Sequence, residues 1–194
     1  MGDDGKEQLH QLQNKWAIWE HQVTKSDADW GNNMQALAEF STVEDFWKYY
    51  NNIPKPSQVM FDGNARKKVG DRQIDSYSIF KQGIKPEWES PANSHGGEWQ
   101  SRSKLPPHVL DLFWENMVLG LIGETIDHGD EICGARVVDK SKGHHVVYRF
   151  ELWLRSQDQG TAKRLLERMQ TCLSDGNQNP KLIPSFDWKP HGGR

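Results

Sequence analysis

Trp88 and Glu89 stand side by side in the run Lys85-Pro86-Glu87-Trp88-Glu89, placing an aromatic face next to a carboxylate. That pairing suits a flat, positively charged ring with N–H donors of its own. The ring stacks on the indole, its charge meets the π face, and the carboxylate accepts the N–H groups. A guanine base methylated at N7 is such a ring. Nine tryptophans in 194 residues give the chain an excess of aromatic faces. Each also has a plainer use in filling a core, so the surroundings of each must decide between binding and packing.

Other constellations are weaker. His144 and His145 with Cys133 or His128 lack any CxxC or HxxxH spacing, so no metal site is expected. Asp127, Asp130 and Glu131 flank Gly129 and read as a polar turn more readily than as catalytic carboxylates. No glycine-rich phosphate loop or nucleophile motif is present, which argues against an enzyme and against a bound cofactor. A carbohydrate-binding module also presents exposed tryptophans, and it stands as the reading from another class.

The elements that would carry these residues follow from periodicity. Residues 12–21 place Trp16 and Ile18 at one parity and Ala17 and Trp19 at the other, which predicts a strand covered on both faces. Ser41 and Glu44 have capping-box spacing, and Val43, Phe46, Trp47 and Tyr50 then recur at helical spacing until Pro54. Residues 77–81 alternate as a brief strand, and Gly96-Gly97 turns into another through Ser103. Pro106-Pro107 opens a helix with a broad apolar stripe from Val109 to Ile122.

Residues 132–155 alternate on either side of Lys142-Gly143, as in a long β-hairpin. Val146, Tyr148, Phe150, Leu152 and Leu154 fall on one face; Arg149, Glu151 and Trp153 fall on the other. A last helix over 161–173 buries Ala162, Leu165, Leu166 and Met169. Strands and helices interleave without βαβ regularity, so the class is antiparallel α+β.

The length suits one domain. It is expected over 10–188, with a long loop at 55–76 of high mobility and flexible polar tails at 1–9 and 189–194. Two cysteines without paired spacing, Cys133 and Cys172, point to a reducing compartment, cytoplasmic or also nuclear. No apolar run approaches the roughly 20 residues that span a bilayer. A net charge of −3 argues against broad coating of nucleic acid and leaves only local contact.

The tryptophan spacing resembles the eukaryotic translation initiation factor 4E family, which binds the 7-methylguanosine 5′ cap of mRNA. The matching pieces are LQNKWAIWEH at 12–21, STVEDFWKYYNNI at 41–53, YSIFKQGIKPEWE at 77–89, GGEW at 96–99, FWENMVLGLIGE at 113–124 and ICGARVV at 132–138. The resemblance implies a single curved antiparallel sheet backed by three helices on its convex face, with a cap slot on the concave face. It implies that Trp30 and Trp88 sandwich the base. Glu89 would accept from guanine N1–H and the exocyclic amine, while the Trp88 backbone N–H donates to O6. Trp153 takes the family's cap-edge position.

For the triphosphate, the resemblance implies cations from the hairpin after the CGA motif. This hairpin is longer than the family's, so counting forward from Ala135 points to Lys140 and Lys142, and counting back from Trp153 points to Arg149. Arg136 shares strand parity with Lys140. The order of expectation is Lys140, Arg149, Lys142, Arg136. Lysine in place of arginine exchanges a bidentate fork for a point charge.

On the helical face the resemblance implies a docking site for a short helical peptide, from an initiation factor 4G-like scaffold or a 4E-binding repressor. Its residues are His10, Val43, Trp47, Glu115, Asn116 and Leu119. Glu115-Asn116 stands where the family usually has an apolar residue followed by an acidic one. The implied protein is a monomer that recruits capped mRNA for translation initiation. Without a scaffold it would instead hold capped mRNA and repress translation. The loop at 55–76 is likewise longer than the family's between the first helix and the PEWE run, and the two longer loops together mark a divergent, protist-like member. The basic run Arg66-Lys67-Lys68 in the first of them could touch RNA or a partner, but the reading favoured by its composition is a solvated loop.

Overall fold

Apolar and aromatic side chains at both parities make residues 11–22 a strand with two covered faces. In the computed structural model, described over residues 9–23 and 33–192, they form β1 (Gln11–Gln22). The other strands are β2 (Met34–Thr42), β3 (Ile74–Lys81), β4 (Gly97–Ser101), β5 (Ile132–Asp139), β6 (Tyr148–Leu154) and β7 (Phe186–Pro190). They build one curved seven-stranded sheet in the order β2-β1-β3-β5-β6-β4-β7, and every neighbouring pair is antiparallel.

Helices α1 (Val43–Tyr50), α3 (Pro107–Ile122) and α4 (Gln159–Ser174) are the three that the sequence predicts; α2 (Pro56–Val59) is a fourth, single-turn addition. The missing N–H of Pro107 costs nothing at the first position of α3, where no intrahelical acceptor exists. Phe113 of that helix meets Phe150 of β6 edge to face, with centroids 6.4 Å apart. Val109, Leu110, Met117, Leu121, Ile79, Leu152 and Met169 complete a continuous core between sheet and helices. Each such buried side chain contributes about 1.5–3 kcal/mol. The core therefore lies on one face of the sheet and leaves the other free for a site.

Several boundaries differ from the sequence expectation. The α1 cap is Thr42, not Ser41: its hydroxyl accepts the Asp45 N–H at 3.1 Å. Glu44 turns instead to His10, accepting its backbone N–H at 3.0 Å and meeting Nδ1 at 2.6 Å. The helix also stops at Tyr50, before Pro54. Strand β4 ends at Ser101, and Ser103 keeps only an isolated bridge to Tyr148.

The segment 55–76 is not one long loop. It holds α2 and a bridged turn between Val69 and Arg72, and its end already belongs to β3. Two cations of its basic run are used internally. Arg66 pairs with Asp139 at 3.0 Å, and Lys67 with Asp62 at 3.2 Å.

The expected tail at 189–194 is contradicted over 189–192. Lys189 and Pro190 pair with Glu98 and Gly97 in the sheet, and the His191 N–H donates to Gly96 O at 2.8 Å. The free edge of β4 supplied a hydrogen-bond ladder that outweighs the polar composition of the tail. Residues 1–8 and 193–194 lie outside the described residues.

Candidate functional site

Alternation along β6 sends Tyr148, Phe150, Leu152 and Leu154 into the main core and leaves Arg149, Glu151 and Trp153 on the opposite face, as the sequence predicts. The register then adds neighbours. Arg136 of β5 pairs across from Glu151, while Gln100 and Glu98 of β4 stand beside Glu151 and Trp153. Together with Trp88, Lys189 and His191 these residues line a groove of about 580 Å³. That is room for a nucleotide-sized ligand, since small-molecule sites run to roughly 300–1,000 Å³.

Glu151 is the electrostatic centre of the groove floor. It is fully buried, and it pairs with Arg149 and, at 3.6 Å, with Arg136. Burial by itself would raise its carboxyl pKa. The guanidiniums of Arg136 and Arg149, the indole N–H of Trp153 and the nearby Lys140 together hold it below its ordinary value. Arg136 also donates to Ser76 Oγ at 3.2 Å, and its guanidinium stands 6.0 Å from the Trp153 ring centroid.

Trp153 itself is 1% exposed and forms the floor. It packs edge to face on Phe80, centroids 5.5 Å apart, with Ile84 and Cys133 completing a small second core on this side of the sheet. Gly134 permits this packing: a Cβ there would sit 2.4 Å from the Phe80 ring. The imidazole of His191 covers Trp153 at 4.6 Å.

Trp88 has the opposite environment. It is 51% exposed, on the loop that joins β3 to β4. Buried Asn93 shapes that loop from inside by donating to the carbonyls of Lys85 and Glu87 at 2.9 and 2.8 Å. Asn93 O in turn meets His191 Nδ1 at 2.8 Å, so the Trp88 loop and the cover of Trp153 are tied to one another. His191 Nε2 lies 3.6 Å from Glu98.

Glu89 is exposed beside Trp88 but is not among the residues that line the groove. Trp30 lies outside the described residues. Of the four expected phosphate ligands, Arg136 and Arg149 line the groove. Lys140 is partly buried, and its pKa is lowered by burial and by the charge of Arg149, with Asp75 and Glu151 offsetting. Crowding of like charges at one place is what an incoming anion would relieve. Lys142 is exposed at the hairpin turn, bridged to His145.

Sequence reasoning missed Glu98, Gln100, Asn93 and His191. For Glu151 the alternation with Trp153 gave its face but not its partners. His191 carried no signal, because a histidine among glycines near a chain end has no periodicity to betray a packed position.

On the convex side Val43 is half-buried and Trp47 is 36% exposed, with its ring 4.8 Å from Phe46. Glu115 lies 3.8 Å from Lys55. Asn116 donates to Asp175 O at 2.8 Å, which ties α3 to the end of α4. Leu119 is partly buried against the core, and His10 is anchored by Glu44. Among the described residues no group of three or more metal-ligating side chains occurs.

The same fold recurs in solved structures. Initiation factor 4E-3 of Ascaris suum in complex with the m7G cap superposes with a TM-score of 0.76 at 29% identity, covering 96% of this chain and 94% of that one. C. elegans factor 4E-3 in complex with the 4E-binding protein Mextli gives 0.73 at 27% identity, covering 95% of each. Among curated sequences, eukaryotic translation initiation factor 4E of Aplysia californica is 36% identical over 182 residues, 91% of this chain and 75% of its own length. Factor 4E-1 of Solanum habrochaites is 36% identical over 156 residues, 79% of this chain; the match spans only 60% of that relative. The profile described as Eukaryotic initiation factor 4E matches residues 11–192, nearly the whole described length. The chain belongs to the eukaryotic initiation factor 4E family.

Proposed function

We propose that the groove binds the 7-methylguanosine 5′ cap of mRNA and that the protein brings capped mRNA to translation initiation in the cytoplasm, with no catalytic step. The observation that carries this reading is Trp88: a half-exposed indole at the mouth of a groove whose floor carries Arg136, Arg149 and Trp153. A face that open to solvent is available for stacking. It suits a cationic base, with Trp30 as the second plane and Glu89 reading the guanine edge. Trp153 lies at the cap edge beneath them.

Arg149, Arg136 and Lys140 then meet the phosphate chain, with Lys142 at the outer end. The helical face around Val43 and Trp47 takes a helical peptide from a scaffold or 4E-binding protein, completed by His10, Glu115, Asn116 and Leu119. The Ascaris and C. elegans neighbours, solved with a cap and with a 4E-binding protein, support both halves of this reading. They do not favour a carbohydrate-binding module.

Titration of intrinsic tryptophan fluorescence with 7-methylguanosine triphosphate against guanosine triphosphate tests it. Methylation adds a cation–π contribution at each stacked face, so the methylated ligand should bind at least about fivefold more tightly. Equal affinities, or quenching by oligosaccharides instead, would remove the reading.

A further inference from the structure

We infer that the inserted segment is a brace for the cationic hairpin, with Arg66 and Asp139 as positioning residues, and that it sets how much affinity the groove gains from the phosphate chain of its ligand. This rests on the phosphate role proposed above for Lys140.

Asp139 closes β5 and immediately precedes Lys140. Its side chain is wholly buried. Oδ1 accepts the Ser141 N–H at 2.9 Å, while Oδ2 accepts the Phe61 N–H and Arg66 Nη1, each at 3.0 Å. Arg66 Nη2 donates to Ser141 O at 2.9 Å. One guanidinium from the insertion therefore clasps both residues that flank Lys140. The returning arm is held as well: the Tyr148 hydroxyl donates to Phe61 O at 2.6 Å, and Lys140 N–H donates to Val147 O at 2.8 Å.

The two roles fall to different groups. The Asp139 carboxylate and the Ser141 carbonyl face Arg66 of the insertion, whereas Lys140, just past the end of β5, feels the charges of the groove residues Arg149, Glu151 and Arg136. A lysine has a long stem and loses much freedom when it meets a phosphate. Fixing its backbone beforehand lowers that cost. Without Arg66, the buried Asp139 charge loses its counter-ion and Ser141 O loses its donor, so the hairpin relaxes. Trp88 sits on a different loop and should not respond.

The experiment compares 7-methylguanosine triphosphate with 7-methylguanosine monophosphate, reading the ratio of their affinities at fixed salt. Arg66→Ala should lower that ratio by about threefold or more while monophosphate affinity stays at the wild-type value. Lys68→Ala removes a charge from the same segment without touching Asp139, and it should leave the ratio intact. An unchanged ratio in Arg66→Ala, or an equal fall in Lys68→Ala, overturns the brace. Lys140→Ala separates this from the underlying assignment: if it too leaves the ratio unchanged, the phosphate role of Lys140 fails. If it lowers the ratio and Arg66→Ala does not, only the brace fails. Should Arg66→Ala not fold, Arg66→Gln is read by the same criteria.

Discussion

Glu151 accepts the indole N–H of Trp153 at 2.9 Å from two positions earlier on the same strand, while its carboxylate also pairs with Arg149 and Arg136. Strand geometry puts residues i and i+2 on one face, so a single buried acid orients both the aromatic floor and the two cations of the groove. The arginines are held in place before any ligand arrives, which spares their ordering cost on binding.

Glu151→Gln tests that arrangement through stability. Breaking a buried ion pair from one side strands the partner charges and costs about 3–5 kcal/mol. Urea denaturation should show a loss of that order. The pH sign follows from the lowered carboxyl. Its contribution is complete above the ordinary 4.5 and is lost as pH falls through the lower folded value. The variant should lack that acid limb; an unaltered acid profile would mean the carboxylate contributes nothing.

Trp88→Ala and Glu89→Ala should behave differently from Glu151→Gln. Both side chains are exposed, so melting temperature should hardly move. A single aromatic stack on a base is worth about 1–3 kcal/mol, and Trp88→Ala should weaken 7-methylguanosine triphosphate by at least about tenfold. Glu89→Ala should cost a similar factor by leaving the base donors unpaired. Calorimetric titration checks both, and unchanged affinity in either variant removes that residue from the site.

His191 predicts a dependence on neutral pH. Burial alone would depress its pKa, but the Glu98 carboxylate and the Asn93 carbonyl raise it above the ordinary 6.5. A raised histidine contributes stability that is fully present below 6.5 and lost as pH rises through the folded value. Melting curves over about pH 6 to 8 should decline with rising pH in the wild type and flatten in His191→Gln and in Glu98→Gln. A slope retained in both variants would assign it to another group.

The convex face should separate from the groove. Trp47→Ala should lower affinity for a 4E-binding peptide by about tenfold or more, as expected of an exposed aromatic anchor. Affinity for the cap nucleotide should stay unchanged, because the helices and the groove lie on opposite faces of the sheet. A parallel loss of both affinities in pull-down and titration would show that the two faces are not independent.

Where sequence reasoning went astray, the competing options were locally equivalent. Ser41 and Glu44 have the same three-residue spacing as Thr42 and Asp45. The choice fell to Thr42 because β2 continues through it and Glu44 is drawn away to His10, a residue from the far side of a strand pairing. Likewise, segment 55–76 has no sustained period of its own. Its order comes from Asp139 and Tyr148, distant in sequence, which offer it a buried acceptor and a donor.

From the sequence by itself came the alternation of 148–154, the apolar stripe of 109–122, the adjoining tryptophan and acid at 88–89, and with them the class of fold and the kind of ligand proposed for the groove. These are properties of local spacing, because side-chain direction repeats every two residues in a strand and about every 3.6 in a helix. The meeting of Arg136 with Glu151, the seat of His191 on Trp153 and the grip of Arg66 on Asp139 were decided by strand register and chain return. Each joins residues whose separation along the chain no period encodes, and each exists because a buried charge or ring face had to find a partner once the sheet had closed around it.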